Sequence, residues 1–165
     1  MQLKKKQIMA KKFNTDVEVA RDNIVKSTEE SKIYFGVDSE RIQVDGVWFV
    51  DYLVCVILHE DGCRGASVIY GAVERERDFD KNLGRPRNRL FTEVLKIAEV
   101  YTKLQDSLGD RDVEVHLDLN PNELFGSSCV IAEAIGYIKG VCNIEPKVKP
   151  HSFAASICAD RLKTM

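Results

Sequence analysis

The chain reads as one α/β domain. The expected architecture is a mixed five-stranded sheet of order 3-2-1-4-5, its first three strands an antiparallel meander, with helices on both faces. Three observations predict this. Three β-rich runs follow one another across short Asp- and Gly-containing turns, as in a meander. A long amphipathic stretch then changes the hydrophobic period from two to that of a helix. Two further apolar runs alternate with helical segments, the pattern of crossover connections in a partly parallel sheet.

Taken in order, residues 1–30 are lysine-rich and then mixed. Asn14-Thr15-Asp16 can cap a short helix carrying Val17, Val19, Ala20, Ile24 and Val25. This part reads as an N-terminal arm or helix laid on a domain of residues 31–165. Strand 1 runs from Ile33 through Asp38 to Val44 and meets Asp45-Gly46, a preferred two-residue hairpin turn. Val47 to Leu58 makes strand 2, Glu60-Asp61-Gly62 a second turn, and Ala66 to Val73 strand 3. Between Arg85 and Leu108, apolar residues at Leu90, Val94, Ile97, Tyr101, Leu104 and Leu108 mark a helix. Val113 to Asp118 is strand 4, and Ser127 or Ser128 starts a helix through Ile138 that Gly140 stops. Ile144 to Val148 is a short strand 5, and a last helix covers about Ser152 to Lys163.

Composition narrows the function classes. With 165 residues, 44% hydrophobic and 30% charged, the chain has room for a substantial core. A net charge of −2 excludes a uniformly basic nucleic-acid binder, so such contacts must come from local patches. No apolar run can span a membrane, and the basic start lacks the apolar core of a signal peptide, which predicts a cytoplasmic protein. The five cysteines show no CxxC spacing and read as free thiols.

Four carboxylates carry the chemistry. Asp38 and Asp118 close the apolar strands 1 and 4, which lie adjacent and parallel in the expected order. Their carboxylates therefore fall near matching strand ends, where open sheets place their sites. At about 100° per residue, Glu93 lies on the border of the buried face of its helix, whereas Glu99 points to solvent. Asp160 shares the inward face of the last helix with Phe153. Oxygen donors of this kind suit Mg²⁺ or Mn²⁺, and a pair of such ions can clamp both oxygens of a phosphodiester displacement. Taken singly, each residue has a plainer role as turn former, surface charge or ion-pair partner.

The chain resembles the ribonuclease H-like family of bacterial and phage proteins related to the predicted nuclease YkuK. The resemblance rests on Phe35-Gly36-Val37-Asp38-Ser39, Thr92-Glu93-Val94-Leu95 and His116-Leu117-Asp118. It continues in Lys147 to Ser156 and Ala159-Asp160-Arg161. It covers roughly residues 31–165 and implies a metal-dependent nuclease acting on RNA, an RNA–DNA hybrid or structured DNA. The superfamily's acidic positions fall on Asp38, Glu93, Asp118 and Asp160. Asp38 would bridge two ions, Glu93 and Asp118 would hold one, and Asp160 the other. Glu40 stands where relatives often carry Gln, and Cys142 where Gly is expected.

Ser39, His151 and Ser156 are auxiliary candidates for orienting carboxylates or moving a proton, while His116, inside a strand, reads as structural. Ser152 is a candidate helix cap. Arg85, Arg87 and Arg89, with Lys81, form an acid-free stretch suited to phosphates, and Lys147 and Lys149 add charge. The same stretch also reads as a solvated loop balancing Glu74, Glu76, Asp78 and Asp80. An actin-like ATPase would need a glycine-rich phosphate turn where this chain has Ser39-Glu40-Arg41. The remaining rival is a non-catalytic module of the same fold that binds nucleic acid or a protein partner.

Overall fold

A computed structural model describes residues 13–158. Helix α1 (Val17–Lys26) opens on Asp16, whose carboxylate accepts the Glu18 amide at 2.8 Å and so satisfies a donor the helix itself leaves open. Just ahead of it, Asn14 is stitched to the sheet by its side-chain amide on the Ile69 carbonyl (2.8 Å). Its own carbonyl accepts the Gly71 amide (2.9 Å). Ala20 and Ile24 are fully buried, whereas Val19 and Val25 face solvent.

Strands β1 (Lys32–Val44) and β2 (Val47–His59) form a long hairpin with Val44 opposite Val47. Asp45 and Gly46 both take positive φ (51° and 79°), as the two-residue turn demands. Strand β3 (Ala66–Arg77) pairs antiparallel with β2, across an irregularity at Val56/Ile57, and runs four residues beyond the expected Val73. The extension has a cause: Arg75 reaches across to buried Asp51 with two hydrogen bonds, 2.7 and 2.8 Å. Helix α2 (Arg87–Leu104) then crosses the sheet, and β4 (Asp112–Leu117) lies parallel to β1.

The sheet has four strands in the order β3-β2-β1-β4, and the expected fifth strand is not formed. Residues 147–149 do run beside β4. Lys147 bonds Val115 and Leu117 (2.8 and 2.9 Å), and the Lys149 amide bonds the Leu119 carbonyl (3.0 Å). Pro146 and Pro150 bound this segment and have no amide hydrogen, so the pairing is reduced to a single bridge.

Helix α3 (Ile131–Cys142) follows a 3₁₀ turn at Gly126–Val130. It continues past Gly140 and ends at Asn143, which takes the left-handed conformation (φ 54°) that closes many helices. The large core lies on one face of the sheet, where α1, α2 and α3 cover Ile33, Phe35, Val37, Val115 and Leu117. The other face carries a smaller cluster of Cys55, Ile57, Ala154 and Cys158, so helical structure covers both faces. There the chain turns helical from residue 154 and presses on Gly36. A methyl group at Gly36 would lie 2.7 Å from both the Ala154 Cβ and the Ala155 amide nitrogen. Gly36 and the two alanines are small because backbone meets backbone here. Among the described residues no helix is long and apolar enough to cross a membrane.

Candidate active site

Asp38, inside β1, and Asp118, just past the end of β4, are placed by register. Val37 opposite Leu117 is the last parallel pair, and Asp38 and Asp118 are each the next residue. Strand alternation puts Asp38 on the face of Tyr34 and Gly36, away from the large core. Asp118 lines a small cleft on that face with His116, Ser152 and residues 153–156. The Asp38 carboxylate accepts the Ser39 amide at 2.8 Å.

Glu93 arrives from the opposite layer, on the second turn of α2. It is 3% exposed, while Glu99 faces solvent and pairs with Lys103, as helical phase predicts. The Ser39 hydroxyl donates to the Glu93 carboxylate. Burial pushes the Glu93 carboxyl up to about 8. The Ser39 bond restrains the rise, Asp38 adds to it, Arg89 offsets it, and Asp118 adds a smaller push. Asp38 and Asp118 thus lie within electrostatic reach of Glu93, which comes from the opposite layer.

In this conformation the carboxylates are engaged by protein groups. Asp118 pairs with Lys149 at 3.0 Å and Glu93 holds Ser39. Among the described residues, no three His, Cys, Asp or Glu side chains are arranged to hold a metal ion. The donor chemistry fits a hard divalent cation, since these are carboxyl oxygens, and a cation beside the buried Glu93 would oppose the upward push that burial gives its pKa. Asp160 lies outside the described residues, as do Arg161 and Lys163.

The acidic neighbours of the basic stretch before Glu93 are taken up in several ways, and Arg89 still acts on Asp78 electrostatically. Asp78 pairs with Arg41, and both Glu74 and Glu76 pair with Lys96. Asp80 accepts the Asn88 and Arg89 amides, each at 2.8 Å, and so caps α2 from outside the helix. Arg87 pairs with Glu133, and the Arg89 Nε is buried without a hydrogen-bond partner among the described residues. Lys81 and Arg85 are exposed and have no ion-pair partner among the described residues.

His116 is structural, and its role is specific. Its Nδ1 accepts the amides of Phe153 (3.0 Å) and Ala154 (3.2 Å), which makes Nε2 the protonated nitrogen and the donor to Glu114 at 2.7 Å. Burial lowers its pKa against the opposing pull of Glu114. The ring packs edge-on against Phe153 at 4.4 Å between centroids. His116 therefore takes the capping part expected of Ser152, whose buried hydroxyl has no hydrogen-bond partner among the described residues. His151 and Ser156 are both exposed, Ser156 at the cleft beside Asp118 and His151 in the loop ahead of the helix. Lys147 is also exposed.

Sequence reasoning missed Asp80, the His116 cap and the contact of Gly36 with Ala154. Of these only Gly36 leaves a local signal, as a glycine inside an apolar strand.

No curated protein and no solved structure matches the chain. A family model described as "Ribonuclease H-like" matches residues 17–164, which takes in α1 as well as the sheet. By that match, the chain belongs to the ribonuclease H-like family.

Proposed function

We propose that the protein is a divalent-metal-dependent nuclease that hydrolyses phosphodiester bonds of RNA or DNA with two Mg²⁺ or Mn²⁺ ions. One observation carries this reading. Glu93, buried in one layer, lies within electrostatic reach of Asp38 in β1 and of Asp118 just past β4. A buried acid among other acids is unfavourable for folding alone, and it suits a site built for cations.

Asp38, Glu93 and Asp118 would hold the metal, with Asp160 as the fourth ligand. When bound, the ions supply an activated water and charge stabilisation of the leaving oxygen. The chain's own groups do the rest. Ser39 orients Glu93, and His116 holds the helix start against β4 beside Asp118. Lys149 neutralises Asp118 and, once released, would be available to a phosphate. Arg85 would neutralise phosphates along the incoming strand, and Arg87 would join it on release from Glu133, while Arg89 acts on Glu93.

One observation favours a non-catalytic module instead: Lys149 already satisfies Asp118. Cleavage assays in Mg²⁺ and in Mn²⁺ decide between them, using single-stranded RNA, RNA–DNA hybrid, duplex DNA and branched DNA. Asp38→Asn and Asp118→Asn should each lower cleavage about a hundredfold or more. No cleavage of any substrate, with no metal bound in a soaked crystal, removes the enzyme reading.

A further inference from the structure

Two loops meet beside the carboxylates. Residues 78–86 lead into α2, which carries Glu93, and residues 119–126 leave Asp118. They touch backbone to backbone, since a methyl group at Gly126 would run into the carbonyl oxygen of Gly84. Each loop is also held internally. The Asn82 side chain accepts the Gly84 amide (3.1 Å). Asn120 and Asn122 side chains accept the amides of Asn122 (2.9 Å) and Leu124 (3.0 Å), and Ser127 accepts the Asn120 amide (2.9 Å).

The ridge so formed presents what a folded core would hide. Leu124 is 90% exposed, Phe125 53% and Leu83 58%. Apolar groups held outward on braced turns, next to a proposed site, mark an interaction surface. The charge beside them selects the partner. Residues 81–92 contain no acid, and Lys81 and Arg85 have no ion-pair partner among the described residues; of the acids in the two loops, Asp78 is paired with Arg41, Asp80 caps α2, and Glu123 is exposed. In a chain of net charge −2, two exposed cations without an ion-pair partner among the described residues complement phosphates.

From this juxtaposition we infer that the ridge of Leu83, Leu124 and Phe125, flanked by Lys81 and Arg85, grips an unpaired nucleic-acid strand. Phe125 stacks on a base, and the cations lie along the backbone. An unpaired base offers its face to a ring, whereas the faces inside a duplex are already stacked. The inference rests on the nuclease reading for its orientation, because the strand leaves the ridge toward Glu93 and Asp118. It makes single-stranded segments or strand ends the substrate class.

The test is fluorescence anisotropy of the full chain in EDTA, with one labelled oligonucleotide presented as a single strand and as a blunt duplex. Phe125→Ala should weaken single-strand binding about tenfold with the salt dependence unchanged, and Phe125→Trp should restore it. Arg85→Ala should lower the slope of log affinity against log salt by about one. Phe125 and Leu124 are exposed, so their loss does not threaten folding. Equal affinity for single strand and duplex, with no effect of Phe125→Ala on either, overturns the inference. So does a Phe125→Ala effect confined to self-association in sedimentation, which would assign the ridge to a protein interface. Phe125-dependent single-strand binding without any metal-dependent cleavage supports the ridge while removing the nuclease reading.

Discussion

The Lys149 ammonium stands 3.0 Å from the Asp118 carboxylate, at the end of the strand where a metal ligand is proposed. The lysine comes from the 147–149 segment that runs along β4, so backbone pairing brings the cation to the acid. Both side chains are part-exposed, and the pair by itself contributes little to stability. Its consequence is competition: a divalent ion must displace the ammonium from Asp118.

Lys149→Met should therefore tighten Mn²⁺ binding severalfold, read by calorimetric titration of the free protein. The same change should weaken nucleic-acid binding, because a phosphate contact is lost. Weaker Mn²⁺ binding in the variant would show that Lys149 supports the metal site instead of closing it.

Glu93 predicts a pH dependence whose sign follows from its raised pKa. The folded chain holds this proton up to about pH 8, whereas an exposed carboxyl releases it near 4.5. The stabilisation is thus fully present below about 4.5 and is lost as pH rises through about 8. In EDTA, urea denaturation should show the protein more stable at pH 5.5 than at pH 8, by up to about 3 kcal/mol. Glu93→Gln should flatten this dependence. An unchanged slope in the variant would place its origin in other groups.

His116→Phe tests the cap on the last helix. The new ring keeps the packing against Phe153 and Tyr34 but has no acceptor for the Phe153 and Ala154 amides. The expected loss is about 1–3 kcal/mol in urea denaturation, with faster hydrogen exchange at those two amides. Exchange that stays slow at both would mean that another group holds this helix start.

How much of this was legible in the sequence follows from how local each cause is. The meander was readable because Asp45-Gly46 and the alternating runs beside it act within a few residues. The inward placement of Glu93 was readable because helical phase is a property of one helix. The run of strand 1 through Asp38 to Val44 and the end of strand 4 at Asp118 were readable because each apolar run closes on an acid. Proline chemistry at Pro146 and Pro150 was present in the text but outweighed by the β-rich residues between them, and the fifth strand shrank to a bridge.

What only the tertiary structure decided are the partnerships across long stretches of chain. Asp78 looked like a counter-charge for the neighbouring arginines, yet it belongs to Arg41. Asp80 satisfies amides eight and nine residues on, and Lys96 takes both Glu74 and Glu76. Those commitments leave Lys81 and Arg85 available beside a ridge that exists because Gly126 can touch Gly84. The physical reason is range. Hydrophobic period and turn chemistry act over a few residues and can be read along the chain, whereas hydrogen bonds and ion pairs are assigned only after the sheet has brought distant groups together.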